Sequence, residues 1–276
     1  MVKIDYVAPG LFTSLGEAAG SVVADDPLEI CEPVHGLFLH PDAQPGRDLP
    51  AERQVEKDVR PAAELARLLL ALDPMPLTSP RAPDKRLVGT CRHFAVMSCA
   101  LLRDRGIAAR VRCGFGMYFE AGLGLDHWVT EFFDGGRWVR VDTEVFGQER
   151  PVDPRDLRPG EFLTGGEAWS AYRRGEVDGS KFGVPGTENW GPSEIRGNAV
   201  RDLAALNNVE VLPWDEWGRM EEAYQGRTGE DYDELLDELA VVCAGDDLDA
   251  VAALYLHPDL RVPDELIAEP DRDRAR

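Results

Sequence analysis

Apolar residues recur at helical spacing from Ala51 to Leu72, at Val55, Val59, Ala62, Leu65, Leu69 and Leu72, and the pattern stops at Asp73-Pro74-Met75-Pro76. That period predicts one amphipathic helix, entered or kinked near Pro61. A second helix is predicted from about Thr90 to Arg105. Thr90 can cap it, Ala95, Val96, Cys99 and Leu102 form an apolar stripe, and Gly106 closes it. Strand character follows in three runs, Ala108 to Tyr118, Trp128 to Phe133 and Trp138 to Thr143, the last two joined by Asp134-Gly135-Gly136. The order is a helix followed by an antiparallel meander.

The flanks are less regular. Residues 1–50 are rich in Pro, Gly and Asp, with short apolar pieces such as Gly36-Leu37-Phe38-Leu39, and read as loops with two short helices. Gly and Pro are dense again from Pro151 to Gly191, where pieces around Phe162 and Trp169 to Tyr172 read as loops with short helices. A stronger helix runs from about Ser193 to Leu206. Acidic helical stretches follow near Tyr232 to Cys243 and Leu248 to Leu256, and Glu269 to Arg276 reads as frayed. The resulting division is a loop-rich segment at 1–50, a core at 51–150 and a mostly helical extension at 151–276 packed on the core.

Composition narrows the functional field. The chain has 276 residues, 43% of them hydrophobic, enough to bury a sizeable core. A formal net charge of -21 and a pI near 4.6 repel phosphate backbones and anionic lipid, so neither nucleic acid nor a membrane is expected as a partner. The start, MVKIDYVAPG, has no apolar run of signal-peptide length, and no segment has the length of a spanning helix; the expected location is cytoplasmic. Five widely spaced cysteines (Cys31, Cys91, Cys99, Cys113, Cys243) fit reduced thiols better than a disulfide framework.

One of those thiols is placed for chemistry. Cys91 falls in the first turn of its predicted helix, where unsatisfied N–H groups and the positive dipole end favour a thiolate. Cys99 lies two turns deeper, and Cys113 and Cys243 read as structural. A thiol that attacks an amide needs a base that can later protonate the departing amine, which suits histidine. His127 opens the strand His127-Trp128-Val129-Thr130-Glu131, whereas His93, two residues from Cys91 on one helix, does not face it. An acid on the next strand can hold the imidazole in one tautomer, and Asp142 is well placed. Glu144 shares its face and competes for the role, while Asp126 would point to the opposite face.

Together, Gly89-Thr90-Cys91-Arg92-His93-Phe94-Ala95, Val111-Arg112-Cys113-Gly114-Phe115, Asp126-His127-Trp128-Val129-Thr130-Glu131 and Trp138-Val139-Arg140-Val141-Asp142 resemble the core of bacterial transglutaminase-like proteins. The resemblance covers about residues 85–145. It implies an α+β, papain-like transglutaminase-core fold, with the cysteine at a helix N-terminus packed on an antiparallel sheet and a helical C-terminal extension. It also implies that Cys91, His127 and Asp142 form a catalytic triad. The pattern departs in one place, because the aromatic usually two residues after the histidine stands immediately after it as Trp128. No Trp precedes Cys91, and the backbone N–H of Cys91 is the candidate oxyanion donor.

The implied activity is thiol-dependent acyl transfer through a thioester. The donor is an amide or ester in a small molecule, peptide or protein side chain, and the acceptor is an amine. A cysteine amidase or protease using water, and a catalytically silent binding protein, are the alternatives. No cofactor and no metal are expected. Zinc would have to gather Cys91, His93, Cys99, Cys113 and His127, yet no Cys-x-x-Cys or His-x3-His pair is present. Gly114-x-Gly116 and Gly122-x-Gly124 lack the strand-to-helix turn of a dinucleotide site, and the acidic runs lack calcium-loop spacing. Trp169, Trp190, Trp214 and Trp217 read mainly as packing residues.

Overall fold

The computed structural model describes residues 3–43 and 45–268; the expected fraying of Glu269 to Arg276 lies outside the described residues. The first stretch contains α1 (Pro27–Cys31) and β1 (Phe38–Leu39). The helix expected over residues 51–72 is divided into α2 (Ala51–Gln54), a 3-10 turn (Val55–Asp58) and α3 (Ala62–Leu72). Pro61 is the cause. It has no N–H to continue a helical ladder, biases Arg60 away from helical dihedrals, and itself stands extended at φ -76°, ψ 136° as the N-cap of α3.

After β2 (Leu87–Val88), which pairs in parallel with β1, the chain enters α4 (Cys91–Asp104). Every residue from Cys91 to Arg103 is buried, so α4 is a central helix and the expected single apolar stripe is too narrow a description. Its polar side chains remain inside because they are hydrogen-bonded. Arg92 Nη1 donates to the Arg60 carbonyl (2.7 Å) and Nε to that of Glu210 (3.1 Å). Arg103 Nε donates to the Ala109 carbonyl (3.0 Å), and Ser98 Oγ to that of Phe94 (2.8 Å).

The meander comprises β3 (Ala109–Gly116), β4 (Gly124–Asp134) and β5 (Arg137–Val141), and Gly135 and Gly136 turn the last corner at φ 57° and 86°. β4 begins three residues before His127, so this histidine sits within the strand rather than opening it. The stretch read as loops also supplies β6 (Phe162–Thr164), antiparallel to β3, and β7 (Phe182–Gly183), parallel to the start of β4. The sheet order is β5-β4-β3-β6. The chain is therefore an α+β protein with Cys91 at the start of a helix packed on an antiparallel sheet.

The remaining helices are α5 (Gly165–Arg173), α6 (Pro192–Leu206), α7 (Met220–Tyr224), α8 (Glu230–Ala244), α9 (Leu248–Leu254) and α10 (Asp264–Ile267). A Cβ on Gly165 would lie 2.3 Å from the Ala199 nitrogen, so glycine permits α5 to approach α6 backbone to backbone. Asp202 of α6 accepts Arg112 Nη2 (2.7 Å) and the Cys113 N–H (2.9 Å), fastening α6 to β3. One large apolar core joins α1, α3, α4, the meander, α6 and α8, and a smaller cluster gathers Tyr118, Val129, Val145, Leu157 and Phe162. Among the described residues, no helix is long and apolar enough to cross a membrane.

Candidate active site

Cys91 is the first residue of α4 and retains only 6% exposure. The helix start is held by His93, whose Nδ1 accepts the Thr90 N–H (3.1 Å) while Nε2 faces the Val59 carbonyl (3.0 Å). These partners require a neutral ring with its proton on Nε2. Burial, with Arg92 alongside, pulls the His93 pKa down to about 3. His93 is thereby occupied as a capping residue and is unsuited to proton transfer at neutral pH.

The sheet brings the other two predicted site residues to Cys91. Thr130 Oγ1 donates to the Ala95 carbonyl (2.9 Å), and Ser98 Oγ pairs with Thr143 Oγ1 (3.0 Å). These contacts fix α4 against the segments carrying His127 and Asp142. The Cys91 sulfur lies within 4.8 Å of a His127 ring nitrogen. On its far side, His127 Nε2 lies 2.9 Å from Asp142 Oδ2. With Nε2 directed to the carboxylate, Nδ1 is the nitrogen available to the thiol.

Asp142 is itself anchored. Tyr118 Oη donates to Oδ2 and the Glu144 N–H to Oδ1 (3.1 Å), while the Asp142 N–H donates to the Pro154 carbonyl (2.9 Å). The Phe119 ring packs edge-on against His127, with centroids 4.8 Å apart. Neither aromatic was singled out in the sequence. Both lie just beyond β3, where spacing gives no sign that the chain folds back over the imidazole.

The competing carboxyls occupy other places. Asp126 accepts Asn198 Nδ2 (2.7 Å), and burial pushes its pKa up to about 6. Glu144 lies beside Cys91 and His127, with donor atoms of all three residues within 4.8 Å of one another. Its Oε2 is sealed from solvent without a hydrogen-bond partner, and burial raises its pKa. Glu131, four residues after His127, accepts Arg110 Nε (2.7 Å) and Arg112 Nη1 (3.2 Å) on one oxygen and Arg140 Nε (2.9 Å) on the other.

Electrostatics set the proton balance. Burial pushes the Cys91 thiol up to about 11, with His127 pulling the other way. Burial also disfavours the His127 imidazolium, but the Asp142 carboxylate and its hydrogen bond outweigh that and hold the pKa well above the usual imidazole value. Desolvation thus favours the neutral thiol–imidazole pair, and Asp142 favours the thiolate–imidazolium pair. All five cysteines are free and buried.

Fold and site together define a buried thiol–imidazole–carboxylate arrangement on a transglutaminase-core-like scaffold. Residues 75–143 match the family model described as "Transglutaminase-like superfamily", so the chain carries a domain of that superfamily over this span. A solved structure from Cytophaga hutchinsonii, provisionally called a cysteine protease, aligns at 15% identity and TM-score 0.34. That alignment covers 58% of this chain and 44% of the other, so this chain spans less than half of that protein. No curated protein matches the chain.

Proposed function

We propose that this protein is a cysteine acyltransferase that takes an acyl group from an amide or ester onto Cys91 and passes it to an amine. The supporting observation is that the Cys91 sulfur and a His127 ring nitrogen lie within 4.8 Å of each other, with an Asp142 carboxylate oxygen 2.9 Å from Nε2. His127 Nδ1 takes the thiol proton as Sγ attacks the carbonyl carbon. The oxyanion faces the start of α4, where the Cys91 N–H has no intrahelical acceptor. His127 then returns the proton to the departing amine or alcohol as the bond to the acyl carbon breaks and a thioester remains. An incoming amine gives up a proton to His127, forms the new amide and releases Sγ.

Asp142 holds the Nε2–H throughout and stabilises the transient imidazolium. On this reading residues 51–150 carry the chemistry, and the extension that begins at residue 151 backs the sheet through its described residues, up to 268, and shapes access to it. A buried thiol favours transfer over hydrolysis, since water gains less from a closed cleft than an acceptor that fills it. The second reading, an amidase or protease with water as acceptor, uses the same thioester.

Intact-mass analysis separates these readings. Reduced protein is exposed to an activated ester or a glutamine-containing peptide, with rising amounts of a primary amine. An acyl adduct on Cys91 that partitions increasingly into amide supports the transferase. An adduct resolved only by water over a range of amines transfers the assignment to an amidase, and absence of any adduct leaves a binding protein.

A further inference from the structure

The zinc grouping considered from the sequence does not assemble: His93 is spent on Thr90 and Val59, and Cys99 and Cys113 are fully buried in the core. A different set does assemble. The thiol of Cys91, a ring nitrogen of His127 and a carboxylate oxygen of Glu144 lie within 4.8 Å of one another. We propose that these three residues form a site for one divalent cation of borderline softness, of the Zn2+ class, and that the bound ion masks the Cys91 thiol.

Three observations carry the proposal. The donors are a sulfur, an imidazole nitrogen and a carboxylate oxygen, a set that selects Zn2+ or Co2+ over Mg2+ and Ca2+. With thiolate, neutral imidazole and carboxylate, the set supplies two negative charges against the ion's two positive ones.

The imidazole is also prepared on its far side. A metal-bound histidine ordinarily donates its other N–H to a carboxylate, which fixes the tautomer and increases ligand basicity. His127 has that partner in Asp142 at 2.9 Å, itself fixed by Tyr118 and the Glu144 N–H. The contact that serves a catalytic base therefore serves a metal ligand equally well.

Finally, Glu144 has an oxygen to give. Its Oε2 is buried with no hydrogen-bond partner, a costly state that a cation would relieve. Tetrahedral zinc, with bonds of about 2.0–2.3 Å, places its ligand atoms roughly 3.3–3.6 Å apart, so donors now within 4.8 Å need to draw in by about an ångström. Glu144 is only half-buried, so side-chain rotation can supply that movement. A water completes the fourth position.

The test is a binding equilibrium and needs no turnover, so it stands or falls separately from the acyl-transfer reading. The reduced full-length chain is titrated with CoCl2, and ZnCl2 is then added with a chromophoric chelator as competitor. One Co2+ per chain is expected, with a near-ultraviolet thiolate-to-cobalt band that Zn2+ abolishes. Zn2+ should also protect Cys91 from iodoacetamide. Glu144→Gln, checked for a native circular-dichroism spectrum, should weaken Zn2+ binding at least tenfold, and Asp142→Asn should weaken it about 10–100-fold, the usual effect of losing an outer partner. Cys91→Ser should lose the band; should that variant not fold, wild-type protein capped with iodoacetamide serves instead. A wild-type spectrum without the thiolate band, a band that survives loss of the Cys91 thiol, no protection by Zn2+, or equal affinity in Glu144→Gln overturns the proposal.

Discussion

At the scale of single residues, reactivity is decided by small differences among five buried thiols. Burial raises Cys91 to about 11 and Cys99 to about 12, and only Cys91 has an imidazole beside it. Iodoacetamide should therefore modify Cys91 first, with a rate that climbs as pH rises from 7 towards 9, and peptide mapping of partly labelled protein checks the site. Equal labelling of Cys91 and Cys99 would remove the special role of Cys91. Asp142→Asn should leave the fold intact but release His127 to the wrong tautomer, lowering acyl-enzyme formation by up to about ten-thousand-fold. Tyr118→Phe removes one charge-assisted hydrogen bond from Asp142, and at about 1.5–3 kcal/mol for such a bond the rate should fall about 10–100-fold. Rapid-quench measurement of the thioester burst reads both variants.

At the scale of elements, the sheet is tied together by Glu131. It joins Arg110 and Arg112 of β3 to Arg140 of β5, and Arg112 passes the connection to Asp202 of α6. Burial opposes its ionisation, but the three guanidinium groups outweigh that and hold its carboxyl far below the usual range. Glu131→Gln removes a buried charge from among its partners and should destabilise the protein by about 3–5 kcal/mol in urea unfolding at pH 7. The pH dependence follows from a pKa lowered in the folded state. The wild-type advantage is complete above the unfolded value of about 4.3 and shrinks as pH falls through the lower folded value. Unfolding curves at several pH values for both proteins check this convergence; a constant difference would mean that packing, not charge, explains the loss.

For the molecule as a whole, the net charge of -21 is largely a surface property, since buried pairs such as Arg112–Asp202 and Arg201–Glu194 offset one another. Repulsion among exposed carboxylates is screened over about 8 Å at physiological salt, whereas buried pairs are little affected. Melting temperature should therefore rise between low salt and about 0.15 M NaCl, as checked by differential scanning calorimetry. A fall would mean that attractive surface pairs dominate.

The sequence by itself determined the local order: a cysteine at a helix start, a histidine and then an aspartate along an antiparallel meander. Those features depend on capping, periodicity and turn residues that act within a few positions. It did not determine how α4 lies against the sheet, because Thr130 to Ala95 and Ser98 to Thr143 are contacts between distant segments. The short β6 and β7 were hidden for the same reason: strands of two or three residues have little period of their own and exist through their pairing with β3 and β4. The choice between Asp142 and Glu144 was also tertiary. Two carboxyls two residues apart share a face in a flat strand, but here β5 ends at Val141 and the chain turns. Asp142 then meets His127 Nε2, and Glu144 is carried to the Cys91 side of the ring.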